Sequence, residues 1–168
     1  DLKHVYVKIE QSLQPTVLYL PVIAFNSSLE PTEDNQLTQE NFSFYQFIKG
    51  QNLNLICTGT TLQLVLDILN ETTLMKPNIF VLTNLNFINS DLNILSKYSQ
   101  LPTICIDDAF LPCGIVESLH YNLTALSINM CEPITRNLGN IPFSEPLEQL
   151  AITSKQRIYN TISSYLQH

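Results

Sequence analysis

The pattern of apolar and polar positions becomes regular after Gly50. Short apolar runs alternate there with segments whose apolar residues recur at helical spacing. The runs predict strands at Leu53–Cys57, Ile79–Leu82, Thr103–Ile106 and Ala125–Ile128. The segments between them predict helices at Thr60–Asn70, Asp91–Ser99 and Ile115–His120. Strands that alternate with helices favour a mostly parallel sheet covered on both faces, so the sequence predicts an open three-layer α/β domain.

A further helix is predicted at the end of the chain. Thr153 and Gln156 have the spacing of a capping box, in which each side chain accepts a hydrogen bond from a backbone N–H at the start of the helix. Ile158, Ile162 and Leu166 then fall on one face. We therefore expect this helix to pack against the rest of the domain.

The part of the chain before Gly50 predicts a different organisation. Residues 1–25 combine an amphipathic helix with a short apolar strand, and the helix ends before Pro15 because the residue preceding a proline avoids the α conformation. Residues 26–49 are largely polar and contain Pro31, which is typical of a connector. The predicted division is therefore 1–25, a connector at 26–49 and an α/β domain at 50–168.

Charge and composition exclude some classes of function. The net charge is −7 with eight Lys and Arg residues, and these do not form the basic patch that a nucleic-acid binder needs. The longest apolar runs, such as Val17–Phe25, are far shorter than the roughly 20 residues that cross a bilayer. We therefore expect no nucleic-acid or membrane partner, and a cytoplasmic location, or an organellar one in a eukaryote.

The cysteines and histidines do not predict a metal site. None of the four cysteines belongs to a Cys-x-x-Cys pair, and the three histidines lie far apart in the sequence. Cys57 and Cys105 fall inside apolar runs, where a buried thiol is the usual explanation.

The turn Thr58-Gly59-Thr60-Thr61 is one candidate site, because it joins a predicted strand to a predicted helix. Exposed amides at the start of a helix can hold an anion. The turn contains a single glycine, so it is neither a dinucleotide fingerprint nor a phosphate loop. A tight turn that needs one small residue is the alternative interpretation.

Asp107 and Asp108 are the second candidate, because they directly follow the predicted strand Thr103–Ile106. The carboxyl edge of an open α/β sheet is where ligands and partner surfaces meet. Adjacent residues on an extended segment point in opposite directions, so the pair is poorly arranged for shared acid–base catalysis. A structural or interface role is the expectation, and Gly114 in the next turn belongs to the same candidate surface.

Several segments follow one another in an order that resembles a known family. Ile56–Leu66 contains a strand, a Thr-Gly-Thr turn and a helix, and Ile104–Asp108 is a strand that ends in an acidic pair. Leu111–Gly114 follows as a turn, and Ile141–Leu150 has the pattern Pro-aromatic-x-x-x-Leu-Glu. Together they resemble the third, C-terminal domain of the transketolase superfamily. Residues 1–25 are similar to the last helix and strand of the pyrimidine-binding domain that precedes it.

The resemblance implies a role within a larger enzyme that uses thiamine diphosphate and Mg²⁺. In that family the cofactor lies between the first two domains, held by a metal-diphosphate motif and an activating glutamate, and neither is present in this chain. The resemblance thus implies no catalytic, cofactor-binding or metal-binding residue here, and a fragment that is inactive alone. The third domain is implied to pack subunits into a homo-oligomer and, in the dehydrogenases, to dock the acyltransferase core.

The match to Ile141–Leu150 favours the beta subunit of a 2-oxoacid dehydrogenase over transketolase or deoxyxylulose-phosphate synthase. The chain departs from the family at Pro112-Cys113, where a Gly-Gly pair is expected, and at Tyr19–Val22, where some members carry a phosphate-binding arginine. The first departure motivates an alternative, a stand-alone interaction module of the same fold. Another alternative is a small-nucleotide-binding α/β domain that uses Thr58–Thr61.

Overall fold

The structure, a computed structural model, describes residues 44–82, 92–110, 114–136, 146 and 153–166. The described residues contain one open sheet of five strands. The strands are β1 (Phe44–Ile48), β2 (Asn54–Cys57), β3 (Asn78–Leu82), β4 (Thr103–Phe110) and β5 (Ile134–Arg136). Their spatial order is β1-β3-β2-β4-β5, with β1 antiparallel to β3 and the other neighbours parallel.

Helices cover both faces of this sheet. They are α1 (Gly59–Glu71), a 3₁₀ helix (Asn93–Tyr98), α2 (Ile115–Ala125) and α3 (Lys155–Leu166). The α/β class and the mostly parallel sheet predicted from the sequence are therefore confirmed. No helix within the described ranges is long and apolar enough to cross a membrane.

The strands divide their side chains between two apolar layers. Leu55 and Cys57 of β2 face the layer under α1 and α3, whereas Ile56 faces the layer under the 3₁₀ helix and α2. This alternation is the period of two that an extended strand imposes. Each fully buried Leu or Ile side chain stabilises the fold by roughly 1.5–3 kcal/mol relative to its exposed state, so the two layers supply the main driving force for folding.

Buried amide side chains link the strands at the amino edge of the sheet. Asn54 Nδ2 donates to Thr103 Oγ1 at 3.0 Å and to the carbonyl oxygen of Tyr98 at 3.2 Å, and Asn54 Oδ1 accepts from Asn78 Nδ2 at 3.0 Å. Gln46 Nε2 donates to Asn78 Oδ1 at 3.3 Å, and Tyr98 Oη donates to Gln46 Oε1 at 3.1 Å. We call these five residues the amide ladder. It crosses from β1 to β4, and its asparagines occupy strands despite low β propensity because they pair with one another.

Gly50 allows two loops to pack closely against each other at this edge. Its backbone N–H donates to Asn78 Oδ1 at 3.0 Å, and the next N–H, of Gln51, donates to the carbonyl oxygen of Lys76 at 3.0 Å. A Cβ atom at position 50 would overlap the carbonyl groups of Lys76 and Pro77, so only glycine allows the two loops to approach this closely.

The predicted strand at Ala125–Ile128 is wrong. Helix α2 continues through Ala125, because Leu119 and Leu123 extend its buried face. It ends in a Schellman motif, in which the N–H of Ile128 donates to the carbonyl oxygen of Leu123 at 3.1 Å and Ser127 is left-handed, with φ 60°. The next strand lies further along the chain, at Ile134–Arg136.

The capping box predicted for the last helix is also wrong, by one residue. The backbone N–H of Arg157 donates to Ser154 Oγ at 3.2 Å, so Ser154 is the residue that caps α3. Gln156 instead donates from Nε2 to Asn160 Oδ1 at 2.8 Å. The apolar face of α3 is confirmed, since Ile158, Ile162 and Leu166 are buried.

Two further predictions change in detail. The helix predicted at Asp91–Ser99 is a 3₁₀ helix at Asn93–Tyr98 within the described residues. Phe44–Ile48, assigned to the polar connector 26–49, forms β1 and pairs with β3. The predicted helix and strand within 1–25 lie outside the described residues, as does the segment Ile141–Leu150 apart from Pro146. The proposed boundaries remain predictions.

Candidate functional site at the carboxyl edge of the sheet

The connections of the sheet place a switch in strand order between β2 and β4. The chain leaves β2 through α1 towards β3 on one side, and leaves β4 through α2 towards β5 on the other. In open α/β sheets this position, at the carboxyl ends of the strands, forms a crevice. The turn at Thr58–Thr61 and the acidic pair at 107–108 both lie at this edge.

The Thr58 turn is hydrogen-bonded directly to β4. Thr58 Oγ1 donates to Asp107 Oδ1 at 2.7 Å, and Asp107 is only 8% exposed. Thr61, which is fully buried, donates from Oγ1 to the carbonyl oxygen of Ile106 at 2.9 Å. The N–H of Thr58 donates to the same carbonyl oxygen at 3.3 Å. These bonds hold the start of α1 against the middle of β4.

Asp108 holds a different part of the chain. Its Oδ1 accepts from the backbone N–H of Thr153 at 3.1 Å, and its Oδ2 lies 3.6 Å from Arg136 Nη2. Thr153 Oγ1 in turn donates to the carbonyl oxygen of Asp107 at 3.2 Å. The acidic pair thus links the starts of α1 and α3 and the end of β5 to the same strand.

The sequence predicted that the acidic pair follows a strand, but the pair lies within one. Strand β4 runs to Phe110, because its second half pairs with β5, where Phe110 is opposite Arg136. The expected divergence of the two side chains agrees with their separate partners, Thr58 for Asp107 and Thr153 with Arg136 for Asp108.

The three other candidate residues lie in or beside helix starts. Gly59 is the first residue of α1 and is exposed, and a Cβ atom built there would meet nothing within 4 Å. Thr60 follows it in the first turn of α1. Gly114 is the N-cap residue of α2 in an extended conformation.

Arginine and threonine residues of this cluster were missed by sequence reasoning. Arg136 ends β5, and its Nε is buried without a hydrogen-bond partner in the described structure. Arg157 donates from Nη1 to the carbonyl oxygen of Thr135 at 2.6 Å, which joins α3 to β5. Thr153 was noticed only as a helix cap. These contacts join residues 22 to 46 positions apart in the sequence, so no local sequence pattern predicts them.

Burial at Cys57 and Cys105 disfavours the thiolate form of both side chains. Burial raises the pKa of Cys57 from 9.0 to about 12, although a hydrogen bond with Thr61 acts in the opposite direction. Burial also raises the pKa of Cys105. The two side chains lie in the two different apolar layers, so they do not face each other. Both thiols are buried, as the sequence predicted, and their burial disfavours the thiolate, which is the nucleophilic form of cysteine.

The carboxylates at the edge do not fit a magnesium ion. No group of three or more His, Cys, Asp or Glu side chains converges anywhere in the described part of the chain. Asp107 and Asp108 are engaged with Thr58 on one side and with Thr153 and Arg136 on the other, so they do not present a shared set of oxygen ligands. The arrangement can hold backbone segments in place.

Two surface grooves among the described residues are lined by residues outside this edge. One, of about 500 Å³, is lined by the segment Glu71–Met75 with Tyr159 and Leu166. The other, of about 390 Å³, lies on the outer side of α2 and is lined by His120, Tyr121 and Pro133, among others. Neither groove includes the Thr58 turn or the acidic pair.

Comparison with known proteins gives no family for this chain. No protein-family model matches it, and no curated protein matches it either.

Proposed function

We propose that this chain is the C-terminal structural and assembly domain of a transketolase-like, thiamine-diphosphate-dependent enzyme. A 2-oxoacid dehydrogenase beta subunit is preferred as the parent, because of the resemblance at Ile141–Leu150. In this proposal the complete enzyme binds thiamine diphosphate and Mg²⁺ on other domains. The present chain then supports the packing of subunits into a homo-oligomer and the docking of partners.

The observation that carries the proposal is the engagement of the acidic pair. Asp107 is buried and accepts from Thr58, and Asp108 accepts from the backbone of Thr153. A general acid or base must reach a proton on a substrate. These carboxylates instead hold helix starts and a strand end of their own domain, which favours a supporting role over a chemical one.

The fold adds support of a more general kind. An open, mostly parallel sheet with helices on both faces agrees with the architecture that the resemblance implies. Because one fold hosts many functions, this agreement supports the proposal without carrying it.

The test is thiamine diphosphate binding by the full-length parent protein. Titration calorimetry with thiamine diphosphate in the presence of Mg²⁺ should show saturable binding, and the same protein should turn over a 2-oxoacid or a ketose. The 168-residue chain, titrated under identical conditions, is the matched control and should give no binding heat. A parent that neither binds the cofactor nor turns over either class of substrate would overturn the proposal.

A second candidate is a small-nucleotide site at the start of α1, and one observation favours it. At this helix start the Thr58 side chain accepts no capping hydrogen bond from a backbone N–H, its Oγ1 donates to Asp107, and Gly59 is exposed to open space. Helix N-termini attract phosphate groups. Calorimetry of the 168-residue chain with ATP would then show saturable binding that Gly59→Glu abolishes, whereas the supporting role predicts no heat for either protein.

A further inference from the structure

We draw no further inference here: the strongest candidate, the buried Nε of Arg136 beside Asp108 at the carboxyl edge of the sheet, belongs to the site already described, and nothing in the described residues shows which acceptor would reach it.

Discussion

Replacing Asn54 with alanine probes how much the amide ladder stabilises the sheet. Asn54 is 1% exposed and makes three side-chain hydrogen bonds, to Asn78, Thr103 and the carbonyl oxygen of Tyr98. In the variant, Asn78 Nδ2 loses its partner inside the protein, and a buried donor left unsatisfied costs about 1–3 kcal/mol. Thr103 Oγ1 keeps a bond to the carbonyl oxygen of Leu101, so its loss is smaller.

The small cavity left by the missing amide adds to this cost, so we expect Asn54→Ala to lower the free energy of unfolding by about 3 kcal/mol. For a chain of this size, that loss corresponds to a decrease in Tm of about 6–12 °C. Because the chain contains no tryptophan, unfolding in urea is best followed by far-ultraviolet circular dichroism. Asn70→Ala, at an exposed position of α1, is the matched control and should change the free energy by less than about 0.5 kcal/mol.

A double-mutant cycle with Asn78→Ala separates the orphaned donor from simple loss of volume. Removing both amides also removes the unpaired Nδ2 group of Asn78. The double variant should therefore lose at least about 0.5 kcal/mol less free energy of unfolding than the two single variants lose in sum. If Asn54→Ala costs no more than the Asn70 control, or if the two ladder substitutions are strictly additive, the reasoning about the amide ladder is refuted.

Three other predictions follow from single contacts. Gly50→Ala should lower the free energy of unfolding, measured in urea, by about 3 kcal/mol, because its Cβ would overlap backbone carbonyls. Gly59→Ala, where the Cβ would lie in open space, should be neutral or slightly stabilising, and equal losses for the two variants would contradict this. Thr58→Val should lose about 1–3 kcal/mol by removing the hydroxyl that donates to a buried carboxylate, and the exposed control Thr73→Val should lose much less; a neutral Thr58→Val would show that the bond is unimportant. The pKa of the Cys57 thiol is raised from 9.0 to about 12 in the folded chain. The contribution of the protonated thiol to the free energy of unfolding is therefore complete below pH 9.0 and is lost as the pH rises towards 12. The excess stability of the parent over Cys57→Ala should therefore shrink across that range, and a constant difference would contradict the assignment.

Local patterns in the sequence predicted the elements that have strong periodicity. Helix α1 was predicted within one residue of its observed ends, because its apolar residues recur at helical spacing after the turn at Thr58-Gly59. Strand β3 was likewise predicted within one residue, since an apolar run begins at Ile79, two residues after Pro77.

The elements that were predicted wrongly depend on interactions that a local sequence pattern does not show. The end of α2 was predicted too early, because its Schellman motif uses Ser127 in the left-handed conformation rather than the glycine that usually signals such an end. Strand β5 is only three residues long, too short to show alternation. Strand β1 lies in a segment interpreted as a polar connector, and its pairing with β3 is a long-range choice.

The candidate site was predicted only in part. The Thr58 turn and the acidic pair were recognised because each is adjacent to an apolar run, and the structure joins them through one hydrogen bond. The partners of Asp108 were not predictable, since Arg136 and Thr153 come from elements distant in sequence. Their roles depend on tertiary packing that brings β5 and the start of α3 to one edge.

The most direct measurement of the supporting role is the turnover of a full-length parent carrying Asp107→Asn. Asparagine keeps an oxygen that can accept from Thr58 and removes the charge and basicity that acid–base catalysis needs. If the acidic pair only holds the domain together, kcat per assembled enzyme should stay within about threefold of the parent value. A fall of about 100-fold or more, with the assembly and the Tm unchanged, would instead assign chemistry to this edge and contradict the account.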